Sequence, residues 1–256
     1  MTSETLQPQQ SWDADRYQSQ HSFVWQYGAA LIDLLNPQPG EHILDLGCGT
    51  GQLTNTLAET GATVSGIDAN ANMINAAQRQ YPQLSFAVAD ACNFQVDYPV
   101  DSIFSNAVLH WVKPPERAVQ AVARALNPGG KFVAEFGGKG NVQKIVGAVE
   151  TVRQQGNLSP WYFPSISEYA QLLERHGLEV TFVALIDRPT PLEDGDRGLA
   201  NWLKMFGSQL LAGLSPDDTE TVLRRVEAHL RPQMYDGHQW TADYRRLRVV
   251  AVKQTH

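Results

Sequence analysis

The sequence has little cysteine, no excess of positive charge and no long apolar run, and each of these absences excludes a class of protein. With only Cys48 and Cys92, and no Cys/His cluster at metal-ligand spacing, we expect neither a disulfide framework nor a metal site. A net charge of −7 argues against a nucleic-acid surface and against stable membrane association. No stretch of about 18 apolar residues is present, so we expect no transmembrane helix. Residues 1–17 lack a basic segment followed by an apolar one, which predicts no secretory signal and a cytoplasmic protein.

Apolar residues make up 43% of the 256 positions, enough for a packed core, and they recur in alternating units. A helical pattern over 12–36 is followed by predicted strands such as HILDLG (42–47) and TVSGID (63–68), separated by helices, up to residue 136. This alternation predicts an α/β fold with a parallel sheet covered on both faces. Beyond residue 136 we predict two helices, a strand at 179–187, an irregular helical stretch and a last strand at 241–253.

The first motif is a glycine-rich turn, HILDLGCGTG (42–51), which directly follows a predicted strand. Glycine lets the backbone pass close to a ligand, and the helix after the turn offers free N–H groups. The turn has no lysine for the triphosphate pattern, and Gln52 stands where the dinucleotide pattern needs its third glycine. Both of those nucleotide classes are therefore disfavoured.

Three more motifs end the next three predicted strands. Asp68 ends TVSGID, where a carboxylate can accept ribose hydroxyls; the alternative is that it caps the following helix. Asp90 lies in ADAC (89–92) and would, on its own, be a turn residue. SNAVLHWV (105–112) follows, with Trp111 alternatively a core aromatic and His110 a polar residue at a helix start. Ligands of open α/β sheets bind at such strand ends.

In their order and spacing, D-x-G-x-G-x-G (45–51), Asp68, ADAC and SNAVLHWV resemble the motifs of class I S-adenosylmethionine-dependent methyltransferases. W-D-x-x-x-Y (12–17), NAVLHW and L-N-P-G-G (126–130) are similar to the group of trans-aconitate and malonyl-acyl-carrier-protein methyltransferases. The resemblance spans roughly residues 40–136. It implies a Rossmann-like, doubly wound, seven-stranded and mostly parallel sheet, S-adenosylmethionine as the cofactor and a small-molecule acceptor.

The resemblance also implies a role for each motif. Asp68 would bind the ribose, Asp90 would meet the adenine amino group, and Asn106 would lie under the methionine end of the cofactor. The full set expected at the cofactor is Asp45, Gly47, Cys48, Gly49, Gly51, Asp68, Ala69, Met73, Asp90, Ala91, Cys92, Asn106 and Ala107. The catalytic candidates on the acceptor side are Tyr17, His21, His110 and Trp111. Either histidine is a candidate general base, and the aromatic rings can favour a cationic methyl group through their faces.

We expect one methyltransferase domain, divided into a helical N-terminal lid, a cofactor core, a second half of the sheet with an aromatic loop, a helical cap insertion and a last strand. The corresponding ranges are 1–36, 37–136, 137–188, 189–240 and 241–256. The aromatic loop contains WYFP (161–164), interpreted either as a substrate wall or as packing under the cap. NWLKMFGSQLL (201–211) is expected to be core packing, and YRRLRVV (244–250) a strand with an exposed basic face. The arginines considered for holding an acidic acceptor are Arg16, Arg153, Arg188 and Arg197.

Three functions remain open at this point. The leading one is methyl transfer to an oxygen, carboxylate or hydroxyl, of a small molecule by in-line displacement. The second is C-methylation or cyclopropane formation on lipid alkenes with the same donor. The third is a cofactor-binding regulatory protein without turnover. Because Tyr17, Phe23, Trp111 and WYFP are expected around one cavity, we also predict that trans-aconitate is not the best acceptor.

Overall fold

A computed structural model of the chain describes residues 28–255. Over this range it contains seven strands, eight α-helices and three short 3-10 turns. The strands are β1 (His42–Leu46), β2 (Thr63–Asp68), β3 (Ser85–Val88), β4 (Val100–Asn106), β5 (Leu126–Gly137), β6 (Leu178–Pro191) and β7 (Thr241–Lys253). The helices are α1 (Ala29–Leu35), α2 (Gln52–Ala58), α3 (Ala71–Gln80), α4 (Pro115–Ala125), α5 (Gln143–Arg153), α6 (Ile166–Glu174), α7 (Gly198–Met205) and α8 (Pro216–Met234). The 3-10 turns are Leu109–Trp111, Gly195–Arg197 and Ser208–Leu211.

The strands form one seven-stranded sheet with the order β3-β2-β1-β4-β5-β7-β6, which confirms the expected doubly wound, mostly parallel α/β fold. Among these strands only β7 runs antiparallel to its neighbours, β5 and β6. The chain proceeds from β1 outward to β3 on one side and then returns to place β4 on the other side of β1. The carboxyl ends of β1 and β4 therefore form a switch point, the place where open α/β sheets bind ligands.

Strand β1 is buried on both faces from Ile43 to Leu46. Leu44 and Leu46 point into a core that also contains Phe132, while Ile43 points the other way into a core with Leu31. A strand covered on both faces cannot alternate apolar with polar residues. The two cores hold the sheet between helical layers, and the short strands end together at one edge.

A third core is formed largely by the segment between β6 and β7, residues 192–240, which we call the cap. Trp202 and Leu203 of α7 and Val226 of α8 pack there with Ile145 of α5. The N-terminus of α8 is capped by the Ser215 hydroxyl, which accepts a hydrogen bond from the Asp218 N–H. This packing brings the cap to the carboxyl edge of the sheet.

Two expectations about the last part of the chain are wrong. Strand β6 extends beyond the predicted range 179–187 and continues to Pro191, because it pairs with β7 along its whole length, up to Pro191 opposite Thr241. Strand β7 is an inner strand between β5 and β6, and Arg246 is only 9% exposed. The face of β7 that carries Arg246 and Arg248 is therefore not an exposed basic face.

Part of the predicted lid, with Tyr17, His21 and Phe23, lies outside the described residues.

Over residues 28–255 no helix combines the length and the apolar character needed to cross a membrane. Cys48 and Cys92 are both free thiols.

Candidate functional site

The carboxyl ends of β1, β2 and β4 and the segment after β3 open onto one cavity of about 700 Å³. Most of the residues expected at the cofactor, and two of the catalytic candidates, line this cavity. They are Gly47, Gly49, Asp68, Ala69, Met73, Asp90, Ala91, Cys92, Asn106, Ala107, His110 and Trp111. Asp45, Cys48 and Gly51 are not in its lining. The strand-end motifs are thus brought together although they are spread over more than sixty residues of sequence.

Gly47 and Gly49, in the loop after β1, are glycines for different structural reasons. Gly47 has φ +81°, and a Cβ there would lie 2.1 Å from the Cγ2 atom of Val108, so the loop after β4 packs directly on its backbone. Gly49 has φ +55°, lines the cavity, and would place a Cβ with no atom within 4 Å. That open space at Gly49 is the kind of cradle that a closely bound ligand fills.

Asp68 projects from the end of β2 and is tied to the glycine loop. Its Oδ2 accepts a hydrogen bond from the Gly49 N–H (3.1 Å), and its Oδ1 accepts one from the Asn70 N–H (2.8 Å). Burial raises the pKa of this carboxyl, while the two N–H donors act in the opposite direction. Each oxygen keeps a second lone pair, so the carboxylate can accept two neighbouring hydroxyls, as a ribose presents them.

The alternative interpretation of Asp68 as a helix cap is wrong. The cap of α3 is Asn70, whose Oδ1 accepts hydrogen bonds from the N–H groups of Asn72 and Met73. Asp68 instead precedes this cap and stands at the cavity. Its position is therefore explained by the loop and the cavity, not by α3.

The segment after β3 forms the far side of this part of the cavity. Asp90 Oδ1 accepts a hydrogen bond from the Cys92 N–H (2.8 Å), which closes a tight turn and places the buried Ala91 between them. Burial and the Asp90 carboxylate raise the pKa of Cys92 to about 11. The Cys92 thiol is neutral at physiological pH and serves as an uncharged wall.

Asp45 and Cys48 support the loop from behind. The buried Asp45 carboxylate accepts a hydrogen bond from the Thr54 hydroxyl (2.7 Å), which ties β1 to α2, and burial raises its pKa to about 7. The Cys48 side chain packs 2.9 Å from where a Cβ on Gly66 would stand. Burial, followed by the charges of Asp45 and Asp68, raises the pKa of the Cys48 thiol. Both side chains position the loop and do not line the cavity.

Replacing Asp45 with Asn should weaken the pH dependence of the protein's stability. Its pKa rises from 3.8 to about 7 on folding, so between these pH values the native state holds a proton that the unfolded state has released. The contribution of Asp45 to the free energy of unfolding is therefore highest below about pH 4, and it decreases as the pH rises towards 7. Between pH 5 and pH 8 we expect a fall of about 2–3 kcal/mol from this group.

Urea unfolding of both proteins at pH 5 and pH 8 measures this contribution. The matched control is Asp101→Asn, because hydrogen bonds from the His42 N–H and Asn127 lower the pKa of Asp101 and keep it ionised throughout this pH range. If the free energy of unfolding falls equally steeply between pH 5 and pH 8 in Asp45→Asn and in the parent protein, the raised pKa is not that of Asp45.

At the other end of the cavity, His110 is buried on the 3-10 turn after β4. Its Nδ1 accepts a hydrogen bond from the Gly137 N–H (3.3 Å), so the neutral ring carries its proton on Nε2. Burial, and then the charge of Arg246, lower its pKa well below 6.5. In this state the ring can donate a hydrogen bond through Nε2 and has no free basic nitrogen.

Six aromatic rings surround this end of the cavity, and we call them the aromatic box: Trp111, Trp161, Phe163, Trp202, Phe206 and Tyr244. Trp161 stacks on Phe163 with 5.5 Å between centroids and meets Trp111 edge-on at 5.6 Å. Trp202 lies 6.3 Å from Trp161 and donates a hydrogen bond to the Tyr244 hydroxyl (2.6 Å). Tyr162, the middle aromatic of WYFP, packs instead against the core of the sheet.

The sequence did not predict that half of the aromatic box (Trp202, Phe206 and Tyr244) and the nearby Arg246 would line the cavity. Trp202 and Phe206 belong to a segment interpreted as core packing, which they do form while also facing the cavity. Tyr244 and Arg246 alternate along β7, and this spacing was the available signal that they share one face.

The arginines considered for an acidic acceptor do not reach the cavity. Arg153 donates to the carbonyls of Leu210 and Ala212, Arg188 pairs with Glu135, and Arg197 is likewise absent from the lining. Arg16 lies outside the described residues. Of the arginines within residues 28–255, Arg246 alone lines the cavity.

The comparisons with known proteins agree with this geometry. A family profile described as a methyltransferase domain matches residues 44–134. An uncharacterized methyltransferase of Schizosaccharomyces pombe is 33% identical over 96% of this chain and 100% of its own length. A trans-aconitate 2-methyltransferase of Methylobacterium nodulans is 29% identical over 88% of this chain and 92% of its own length.

Among solved structures, a phosphoethanolamine N-methyltransferase of Haemonchus contortus, in complex with phosphomonomethylethanolamine and S-adenosylhomocysteine, superimposes with a TM-score of 0.58. It shares 19% identity, and the match covers 90% of this chain and 53% of the other, so it shows a common fold. The sequence relative matched along its entire length carries the stronger conclusion. The chain belongs to the class I S-adenosylmethionine-dependent methyltransferases, in the group that includes the trans-aconitate methyltransferases, and it is an enzyme that uses S-adenosylmethionine.

Proposed function

We propose that this methyltransferase transfers the methyl group to a carboxylate oxygen of a small organic acid. The observation that carries the proposal is the state of His110, which presents an N–H and no basic nitrogen to the acceptor end of the cavity. A hydroxyl or an acidic carbon needs a base to remove its proton, whereas a carboxylate needs none. Among the described residues, no Asp or Glu lines the cavity beside the aromatic box.

We assign the cofactor to the glycine-loop end. The backbone at Gly47 and Gly49 would approach it, Asp68 would bind the ribose, and Asp90 with Ala91 would face the adenine. Ala69, Met73, Cys92, Asn106 and Ala107 complete this part of the lining. Asp45, Cys48 and Gly51 would act through the loop as positioning residues. Trp111 forms part of the acceptor wall.

When bound, S-adenosylmethionine supplies a methyl group on a sulfonium: the acceptor's lone pair forms the new bond, the electron pair of the S–CH₃ bond stays on sulfur, and for a carboxylate no proton moves. The protein's part is to hold the acceptor in line and to exclude water. The aromatic box supplies the dry surroundings, which favour a reaction in which an anion and a cation neutralise each other. The His110 Nε2–H can orient one carboxylate oxygen while the other remains available to react.

The chemical stability of the product tests this proposal. A radiolabelled methyl group transferred to a panel of carboxylic acids, phenols and unsaturated lipids would identify the acceptor class. A methyl ester loses its label as methanol under mild base or with hydroxylamine, while an ether, a C-methyl group or a cyclopropane keeps it. We expect base-labile label on the acids, and base-stable label as the main product would refute carboxylate methylation.

A further inference from the structure

One face of β7 carries two arginines, of which Arg246 lines the cavity. Tyr244, Arg246 and Arg248 alternate along β7 and share one face. On that face the buried Glu135 carboxylate accepts hydrogen bonds from Arg188 and from Arg248 (2.7 Å). Arg246, on the same face, lies in the lining of the cavity.

The surroundings of Arg246 connect it to the acceptor end. Its guanidinium lies 4.4 Å from the centroid of the Tyr244 ring, one member of the aromatic box. In the sheet register Arg246 is opposite Gly137, whose N–H donates to His110. Its positive charge also contributes to the lowered pKa of His110. A cation and a neutral N–H donor thus line the same cavity as six aromatic rings.

We infer that Arg246 anchors the acceptor through one carboxylate, and that the aromatic box selects acids with a flat or apolar body. This inference rests on the proposed function and extends it to the class of acid. A planar guanidinium beside a ring matches a carboxylate in geometry and in charge. A compact tricarboxylate would bring two more anionic groups against apolar rings, where a buried charge without a partner is strongly disfavoured. Trans-aconitate, the acid named for a relative, is therefore a poor fit.

The wild-type protein alone gives the first test. Initial rates are compared at equal concentrations of trans-cinnamate, phenylacetate, octanoate and trans-aconitate, and product esters are identified by their lability to hydroxylamine. We expect the best apolar acid to exceed trans-aconitate at least tenfold in kcat/KM. A tenfold advantage for trans-aconitate would overturn the role of the box while leaving carboxylate methylation intact. Base-stable products would instead refute the proposed function.

Variants of two adjacent arginines test the anchor. For Arg246→Gln we expect the KM of the best acid to rise at least tenfold with a smaller change in kcat, because an interaction with the bound acceptor is lost. Arg246→Lys should lie between this variant and the parent protein. The matched control is Arg245→Gln, since Arg245 pairs with Asp187 (3.0 Å) and is outside the cavity lining, and its KM should stay within twofold.

Calorimetry separates the anchor from a structural effect. Each variant is titrated first with S-adenosylhomocysteine and then, with that compound bound, with the best acid. We expect unchanged affinity for S-adenosylhomocysteine and at least tenfold weaker binding of the acid to Arg246→Gln. A KM and an acid affinity that move no more in Arg246→Gln and Arg246→Lys than in Arg245→Gln would overturn the inference.

Discussion

Asp68→Ala should weaken S-adenosylmethionine binding by about 1.5–3 kcal/mol, roughly ten- to 150-fold, because it removes charge-assisted hydrogen bonds to the cofactor's hydroxyls. The substitution also frees the Gly49 N–H, which donates to Asp68 Oδ2 at 3.1 Å, so the glycine loop loses its tie to β2. Titration calorimetry with S-adenosylmethionine and with S-adenosylhomocysteine measures the effect. Both ligands should weaken together, since both carry the same ribose.

The control for Asp68 is Asp101→Ala. Asp101 also binds a backbone N–H, that of His42 at 2.9 Å, together with the Asn127 amide, but it lies where β1 and β4 begin. The substitution Asp101→Ala should therefore lower the free energy of unfolding without changing the affinity for the cofactor. Affinity of Asp68→Ala within twofold of the parent protein would exclude Asp68 from ribose binding.

Gly49→Ala should abolish measurable cofactor binding while the protein stays folded. The new Cβ would meet no protein atom within 4 Å and would enter the cavity at the point assigned to the ligand. An alanine at φ +55° costs about 1 kcal/mol of stability, so the fold should survive. We expect at least a hundredfold loss of affinity, measured by calorimetry, with a nearly unchanged circular dichroism spectrum.

Two other glycines separate the effect of the ligand from that of the backbone. Gly213 has φ +80°, also has open space where a Cβ would stand, and is outside the cavity lining, so Gly213→Ala should cost similar stability and leave binding intact. Gly47→Ala should unfold or strongly destabilise the protein, because its Cβ would overlap Val108. Equal cofactor affinities of Gly49→Ala and Gly213→Ala would show that the space at Gly49 is not the binding site.

The cofactor half of the site could be predicted because its signals are local. The glycine turn directly follows β1, Asp68 closes β2, and Asn106 closes β4. In a parallel sheet the ends of adjacent strands meet at one edge, so once these segments are recognised as strands their terminal residues must be neighbours. The order and spacing of the motifs then pointed to the methyltransferase family, which the full-length relative confirms.

The roles within that half were less predictable. The sequence pattern places Asp45 and Cys48 in the same motif as Gly49, yet neither lines the cavity, because Asp45 accepts a hydrogen bond from Thr54 of α2 and Cys48 packs on Gly66 of β2. His110 was anticipated at the acceptor end, but its protonation state depends on the Gly137 N–H, which belongs to β5. A hydrogen bond between residues 27 apart leaves no trace in local periodicity.

Patterning within short segments thus determined the α/β class, the bounds of β2 and β7, and the family with its cofactor. Only the tertiary structure decided which side chains surround the acceptor. Trp202 reaches the cavity because α7 packs with α5 and α8 in the third core, and Arg246 reaches it because β7 inserts between β5 and β6. Both placements depend on pairing and packing between distant segments, whose energies come from contacts that no single stretch of sequence contains. The acceptor end is built almost entirely from such contacts, which is why the cofactor could be inferred from the sequence and the character of the acceptor pocket required the fold.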